Sequence, residues 1–171
     1  ENSFSSDPEM FGPAPSFAAE KALVIFAQSG VRSVLELGAG QGRDSLFFAR
    51  RGLEVTCLDY SGEGLRTISE KAAREGLAAR VATVAVDLRS GLPLADSSFD
   101  ACYSHMLYSM DFTTGELKLL SGEIWRVLKP GGLNIFTVRH TGDPHFGKGR
   151  SHGDNRFEAD GFVVHFLGRD D

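Results

Sequence analysis

Three glycines fall within five residues in the segment VLELGAGQGRDS, residues 34–45. The segment follows a short apolar run and precedes a stretch whose apolar residues recur at helical spacing. Because glycine has no side chain, a turn this rich in glycine lets the backbone approach a partner closely. The segment predicts a strand, a loop and a helix, and the loop either contacts a ligand or simply makes a tight strand-to-helix turn.

Strand-like and helix-like patterns alternate along most of the remaining chain. Short runs rich in Val, Ile and Leu predict five strands: SVLEL, EVTCLD, RVATVAVD, SFDACYS and LNIFTVR. Helices are predicted after Ser16, the glycine loop, Ser61 and Thr113, where Glu116 completes a capping box. KPGG ends the last of these helices before the fifth strand. The fold class predicted is α/β, a doubly wound, mostly parallel sheet with helices on both faces.

Composition sets the broad class of the protein. The chain has 171 residues, 42% of them hydrophobic, which suits one domain with a sizeable core. A formal charge of −5 argues against a dedicated nucleic-acid binder. No apolar run is long enough for a membrane span, and the first residues lack a signal-peptide pattern. Cys57 and Cys102 lie within predicted strands, which predicts reduced, buried thiols and a cytoplasmic protein without membrane partners.

Carboxylates close three of the predicted strands. In an open parallel sheet, ligands bind beyond the carboxyl ends of the strands, and there the sequence places Glu36, Asp59 and Asp87. The glycine spacing is G-x-G-x-G rather than G-x-G-x-x-G, and no G-K-[ST] follows it. A carboxylate beside a diphosphate would repel it but would attract an ammonium group. The edge therefore suits a ligand with an amine and an adjacent ribose, and it disfavours a dinucleotide.

Five motifs together resemble a known family. ELGAGQG, VTCLDYS, VAVDL, FDACYSHML and VLKPGG occur in order and resemble the motifs of class I S-adenosylmethionine-dependent methyltransferases. The resemblance covers about residues 34–139, and GDPHFGKGR is loosely similar to small-molecule methyltransferases of the tellurite-resistance kind. It implies a Rossmann-like methyltransferase fold that uses S-adenosylmethionine and releases S-adenosylhomocysteine.

The resemblance also implies roles for the residues around the glycine loop. Gly38, Gly40 and Gly42 would let the backbone approach the methionine and ribose portions of the cofactor. Glu36 would hold the methionine ammonium, directly or through water. Asp59 would accept both ribose hydroxyls, which requires two acceptor oxygens.

Further roles fall at the ends of the third and fourth strands. Asp87 would accept from the adenine amino group, and the backbone N–H of Leu88 would donate to a ring nitrogen. Tyr60 would lie against the adenine face. Ser104 and His105 would lie near the sulfonium, with His105 the candidate catalytic base.

Structural roles compete with several of these assignments. Asp59 has the position of a helix-leading cap beside Ser61, and Asp87 could cap a short turn before Arg89. His105 could line the pocket without accepting a proton, because methyl transfer from a sulfonium depends largely on positioning. Four tail histidines also lie near aspartates, but their spacing matches no zinc pattern, so no metal site is predicted and the tail is expected to form a solvated loop over the substrate mouth.

The sequence therefore predicts methyl transfer from S-adenosylmethionine to a small-molecule acceptor, without nucleic acid as a partner. Open alternatives are a non-catalytic S-adenosylmethionine-binding module, a nicotinamide-dependent oxidoreductase and, less favoured, an aminopropyl transferase on the same fold. The acceptor and the oligomeric state are not predicted.

A single domain over residues 1–171 is expected, in three parts. Residues 1–30 form a lead-in and helix, with Phe11 and Phe17 as apolar cover over the cofactor. Residues 31–139 form the cofactor-binding core. Residues 140–171 form a loop or hairpin excursion and an extra strand, FVVHFL, with truncation expected because the closing helix and strand pair of the resembled family are missing.

Overall fold

Five parallel strands form the main sheet of the computed structural model, which describes residues 12, 14–159 and 161–169. In chain order they are β1 Ser33–Leu37, β2 Glu54–Asp59, β3 Val81–Ala85, β4 Phe99–Ser104 and β5 Leu128–Phe136. Their spatial order is β3-β2-β1-β4-β5. The order reverses between β1 and β4, and a crevice forms at such a switch point.

Four helices cover the two faces of this sheet: α1 Phe17–Gln28, α2 Arg43–Arg50, α3 Gly62–Arg74 and α4 Thr114–Val127. Side chains of α1, α2 and α3, such as Phe26, Phe48 and Ile68, form one buried cluster with alternate residues of the strands. Leu120 and Ile124 of α4 belong to a second buried cluster. The predicted doubly wound α/β fold is confirmed.

The predicted helix starts are confirmed by their hydrogen bonds. Ser16 accepts from the backbone N–H of Ala19 at 3.0 Å, and Ser61 caps α3. Thr113 and Glu116 form the capping box of α4. These local signals were readable because a cap and its partner lie within one helical turn.

The fifth strand begins earlier than predicted. The sequence predicted residues 133–139, but β5 starts at Leu128 and includes KPGG. A register shift explains the difference, because Phe99 pairs with Leu128 whereas Ala101 pairs with Leu133. KPGG therefore lies in a bulge between Leu128 and Leu133, the residues of β5 that pair with β4 on either side of it.

Residues after β5 form a second, smaller sheet. Its strands are β6 Arg139–His140, β7 Arg150–Gly153, β8 Arg156–Ala159 and β9 Phe162–Leu167, in the order β6-β9-β8-β7. The expected hairpin and the strand FVVHFL are therefore present, but FVVHFL does not join the main sheet as a replacement closing strand. Phe146, Phe157 and Phe166 pack together inside this unit, with ring centroids 5.2–6.2 Å apart.

Cys57 and Cys102 are buried and free, as predicted from their place in strands. Among the helices that the structure describes, none is long and apolar enough to cross a bilayer.

Candidate functional site

A cavity of about 570 Å³ opens at the carboxyl ends of the main-sheet strands. Its volume lies within the roughly 300–1,000 Å³ typical of small-molecule sites. Most of the predicted site residues line it, namely Glu36, Gly38, Gly40, Asp59, Tyr60, Asp87, Leu88 and His105. Gly42 and Ser104 do not belong to the lining. The fold thus brings together residues that lie far apart in the chain.

The glycine loop has backbone angles that require glycine. The φ angles of Gly38, Gly40 and Gly42 are +71°, +55° and +82°, in the left-handed region that disfavours other residues. Gly42 has a packing role as well, since a Cβ there would stand 2.6 Å from Cγ1 of Ile68. The cavity gives no support to ligand contact by Gly42, which stays a prediction from the resemblance.

Asp59 holds the glycine loop and the start of α3. Its Oδ2 accepts from the backbone N–H of Gly40 at 2.8 Å, and its Oδ1 accepts from that of Ser61 at 2.8 Å. Asp59 therefore has the structural role at the start of α3 that the sequence offered as an alternative to ligand binding. Each carboxylate oxygen still has a second lone pair, and Asp59 lines the cavity, so the structural role leaves acceptor capacity for a ligand.

Glu36 is buried, with 4% of its surface exposed, and it accepts from Ser45 Oγ at 2.5 Å. Burial raises the pKa of Glu36 to about 8, although the Ser45 hydrogen bond acts in the opposite direction. The sequence predicted a negatively charged carboxylate at this position. The structure instead makes it largely neutral near pH 7 until a cation pairs with it.

A buried polar network beside the cavity was not anticipated from the sequence. Asp44 accepts from the backbone N–H of Ser16 at 2.8 Å, from Ser16 Oγ at 2.7 Å and from Tyr103 OH at 2.9 Å. Asp44 also lines the cavity. The network fixes the start of α1 to the first turn of α2. The only sequence signal was an acidic residue in that first turn, which is common at helix N-termini.

At the far end of the cavity, the capping alternative for Asp87 is also present. Its side chain accepts from the backbone N–H of Arg89 at 3.0 Å. Leu88 is buried, whereas Tyr60 is 66% exposed. Tyr60 therefore has an accessible ring at the cavity edge.

The end of β4 forms another wall. Nδ1 of His105 lies 3.0 Å from Thr137 Oγ1, and burial lowers the pKa of His105. Met106 follows with a left-handed φ of +66°. Ser104 is fully buried, and its Oγ has no hydrogen-bond partner among the described residues. Contact of Ser104 with a ligand stays a prediction without support from the cavity lining.

Beyond β4, the short segment of residues 106–112 supplies Met106, Leu107, Met110 and Phe112 to the cavity. The small sheet supports this segment from outside: His165 Nδ1 lies 2.7 Å from the Phe112 carbonyl oxygen, and Arg156 pairs with Asp111 at 2.8 Å.

The expectation of a loop over the substrate mouth needs correction. None of the described residues 139–159 and 161–169 lines the cavity. The tail buries its aromatic residues in a sheet of its own and supports the cavity wall instead.

Two further expectations concern other parts of the chain. Phe17 is 72% exposed and does not line the cavity, so it does not cover the cofactor site as expected. Phe11 lies outside the described residues. The tail histidines and aspartates form no cluster of three or more groups able to hold a metal, within the residues that the structure describes.

The strand order and the carboxyl-lined cavity at the switch point define a Rossmann-like α/β protein with a cavity of the size typical of small-molecule sites. The family model described as a methyltransferase domain matches residues 34–132, more than half of the chain. The chain therefore belongs to the methyltransferase domain family.

Individual proteins show the same relationship. The chain is 31% identical over 131 residues to malonyl-[acyl-carrier protein] O-methyltransferase of Pectobacterium atrosepticum, covering 76% of this chain and 47% of that protein. The chain thus spans about half the length of this curated relative.

Solved structures agree in fold. The CcbJ methyltransferase from Streptomyces caelestis superposes with a TM-score of 0.72 at 24% identity, covering 94% of this chain and 63% of that one. Coclaurine N-methyltransferase, bound to N-methylheliamine and SAH, gives a TM-score of 0.56 at 23% identity, covering 67% of this chain and 34% of that one.

Proposed function

We propose that this protein transfers a methyl group from S-adenosylmethionine to a small-molecule acceptor. The observation that carries the proposal is the pair of buried acidic side chains, Glu36 and Asp59, on either side of a glycine loop at one cavity. When bound, S-adenosylmethionine supplies a methyl group activated by its positively charged sulfur. Membership of the methyltransferase domain family supports the same reaction class.

The donor and acceptor set of the cavity fits this cofactor. Glu36 offers a carboxyl group to the amino-acid ammonium, and pairing with that cation would stabilise the charged form of a side chain that burial otherwise keeps neutral. Asp59 offers the remaining lone pairs of two oxygens to two ribose hydroxyls. The backbone of Gly38 and Gly40 lines the space between them, without side chains to fill it.

The adenine would lie at the end of the cavity bounded by Tyr60, Asp87 and Leu88. Asp87 retains acceptor capacity beyond its bond from Arg89, so an amino group could still donate to it. The exposed ring of Tyr60 offers an apolar face for a base.

The acceptor would enter near His105, Met106 and Met110. A nucleophilic atom of the acceptor held at this end would take the methyl group, and the electron pair of the broken carbon–sulfur bond would remain on sulfur. The nucleophile must reach roughly 3–3.5 Å from the methyl carbon, in line with the leaving sulfur. The described residues at this end act by positioning the acceptor and excluding water.

Small molecules are the proposed acceptor class: coclaurine N-methyltransferase is bound to the small molecule N-methylheliamine, whereas the curated relative is named for a malonyl group held on a carrier protein. The proposal includes a single methyltransferase domain over residues 1–171, a cytoplasmic location and no nucleic-acid partner, in line with a net charge of −5.

Calorimetric titration with S-adenosylhomocysteine tests the proposal directly. We expect a single site per chain, with heat of binding that saturates. Folded protein that gives no detectable binding at millimolar ligand would refute it, and enhanced NADH fluorescence on mixing would point to a nicotinamide enzyme. Release of S-adenosylhomocysteine over a panel of acceptors separates an enzyme from a binding module.

A further inference from the structure

Thr137, immediately after β5, binds three consecutive residues at the end of β4. Its backbone N–H donates to the carbonyl of Ser104 at 3.1 Å, and its Oγ1 accepts from the backbone N–H of Met106 at 2.8 Å. The same Oγ1 lies 3.0 Å from Nδ1 of His105. Thr137 therefore contacts the strand end, the candidate catalytic side chain and the residue that begins the cavity wall.

The contact with Met106 stabilises an uncommon backbone conformation. A left-handed φ in a residue other than glycine costs of order 1–3 kcal/mol and persists where surrounding contacts enforce it. Met106 has such a φ, +66°, and both Met106 and Leu107 line the cavity. The Thr137 hydroxyl thus helps to hold a turn that shapes the proposed acceptor end.

The contact with His105 also constrains where the ring carries its hydrogen. A threonine hydroxyl has one hydrogen and two lone pairs. One lone pair accepts from Met106, and donation of the hydrogen to Nδ1 of His105 satisfies both side chains. If Nδ1 donated instead, Thr137 Oγ1 would accept from both groups, and its own hydrogen would be left to bond with solvent.

The remaining ring nitrogen, Nε2, is then the one that carries hydrogen. Burial lowers the pKa of His105, so the ring is neutral near neutral pH and offers an N–H group rather than a lone pair. His105 lines the cavity, so that N–H is the ring group left to meet a bound molecule.

We propose that Thr137 is a positioning residue that holds His105 as a hydrogen-bond donor at the acceptor end. The role of His105 toward an acceptor rests on the proposed function, whereas the tautomer can be measured without any ligand. In that role, His105 orients the acceptor rather than removing its proton.

His165 provides an internal reference for the measurement. Its Nδ1 lies 2.7 Å from the carbonyl oxygen of Phe112, and a carbonyl can only accept, so Nδ1 of a neutral His165 ring must carry the hydrogen. The two buried or half-buried rings are therefore expected in opposite tautomers. A substitution at Thr137 should alter His105 and leave His165 unchanged.

The test uses ¹⁵N-histidine NMR on the full chain, with the His105 signals assigned by their loss in His105→Gln. We expect the Nε2–H tautomer at His105 in the wild type and in Thr137→Ser, which keeps the hydroxyl, and a mixture of tautomers in Thr137→Val, which removes it at similar volume. A wild-type His105 with hydrogen on Nδ1, or a Thr137→Val ring identical to the wild type, would overturn the proposal.

Two parallel measurements keep the interpretation separate from folding and from the proposed function. If Thr137→Val does not fold, the wild-type tautomer alone decides whether His105 is a donor. S-adenosylhomocysteine calorimetry should still detect binding by wild type, Thr137→Ser and Thr137→Val, since the variants leave Glu36 and Asp59 unchanged. Absent binding in the wild type would refute the proposed function, while the NMR result would still decide the tautomer.

Discussion

The glycine-loop end of the cavity and the end near His105 differ in the chain distance between the residues that support them. At the glycine loop, Ser45 binds Glu36 nine residues away, and Asp59 binds Gly40 across 19 residues. At the other end, Met106 is held by Thr137 across 31 residues, and Phe112 meets His165 across 53. Apart from Asp44, which contacts Ser16 and Tyr103, the first end is built within one strand–loop–helix–strand unit. The second end is supported by the residue after β5 and by the small sheet.

This difference suggests that the two ends of the cavity have separate roles in the family fold. A ligand portion common to many enzymes can be held by a compact local unit, whereas the wall toward a variable acceptor is supported by segments that can change independently. If the roles are separate, a substitution that destabilises one end should leave the structure and ligand binding of the other end unchanged.

The largest expected effect comes from Phe166→Ala in the small sheet. Phe166 is 2% exposed, and removing a buried aromatic ring costs about 3–5 kcal/mol, so amide exchange in β8 and β9 should accelerate by about 100-fold or more. Hydrogen-exchange mass spectrometry would measure this, and S-adenosylhomocysteine affinity should stay unchanged.

Phe162→Ala is the matched control for that variant, because Phe162 lies in the same strand and is 41% exposed. It should have little effect on exchange. If Phe166→Ala weakens S-adenosylhomocysteine binding as strongly as it loosens the small sheet, the two ends are not separable and the comparison fails.

The next effect is expected at Asp59, on the opposite end. Asp59→Ala should lower S-adenosylhomocysteine affinity by at least about 100-fold, since a hydrogen bond to a charged group contributes about 1.5–3 kcal/mol and two are proposed. Release of the Gly40 and Ser61 backbone N–H groups adds to the loss. Calorimetry measures it.

Glu54→Ala provides the comparison for Asp59→Ala, because Glu54 is an exposed acid at the other end of β2. Binding by Glu54→Ala should match the wild type. Equal affinities for the two variants would remove Asp59 from the proposed site.

The pH dependence of S-adenosylhomocysteine affinity tests the role of Glu36. Its pKa in the fold is about 8, so binding an ammonium group near pH 7 requires loss of its proton. Affinity for S-adenosylhomocysteine should therefore rise by close to tenfold per pH unit below that pKa and level off above it. Calorimetry from mildly acidic to mildly alkaline pH gives the slope, and Glu36→Gln should lose it.

The stability of the unliganded protein should change in the opposite direction. The folded pKa of Glu36, about 8, lies above its ordinary value of 4.5, so the folded state binds more protons between these values. Glu36 therefore makes the unliganded fold less stable as pH rises through this window. Urea unfolding of wild type against Glu36→Gln measures it, and parallel pH profiles for the two proteins would contradict the assignment.

The smallest effect is expected at Asp87. Its side chain is exposed and already caps a short turn, so Asp87→Ala should weaken S-adenosylhomocysteine binding by only about two- to tenfold, in line with 0.5–1.5 kcal/mol for an ordinary hydrogen bond. Asp96→Ala, which removes another exposed carboxylate near Arg126, serves as the control for calorimetry. No difference between the two variants would leave Asp87 with its capping role alone.

Much of the fold and of the glycine-loop end could be predicted because the signals are local. Helix caps act within one turn, buried strands show as short apolar runs, and an acid at a strand end indicates the ligand edge of a parallel sheet. The α/β class was correct for these reasons. The roles of Glu36 and Asp59 stay predictions, but the cavity brings them to the same place.

The contacts that were missed all join distant parts of the chain. The sequence around Asp44 carries no sign that Ser16 and Tyr103 would donate to it, since three separate elements meet there. The early start of β5 depended on a bulge that only pairing with β4 creates.

The sequence by itself determined the alternation of strands and helices, the glycine turn and the acids at the carboxyl ends of the strands, because each depends on neighbouring residues. The tertiary structure decided the charge state of Glu36, the orientation of His105 and the place of the small sheet. The physical reason is that burial and hydrogen bonding depend on which distant groups surround an atom, and one-dimensional spacing does not contain that information.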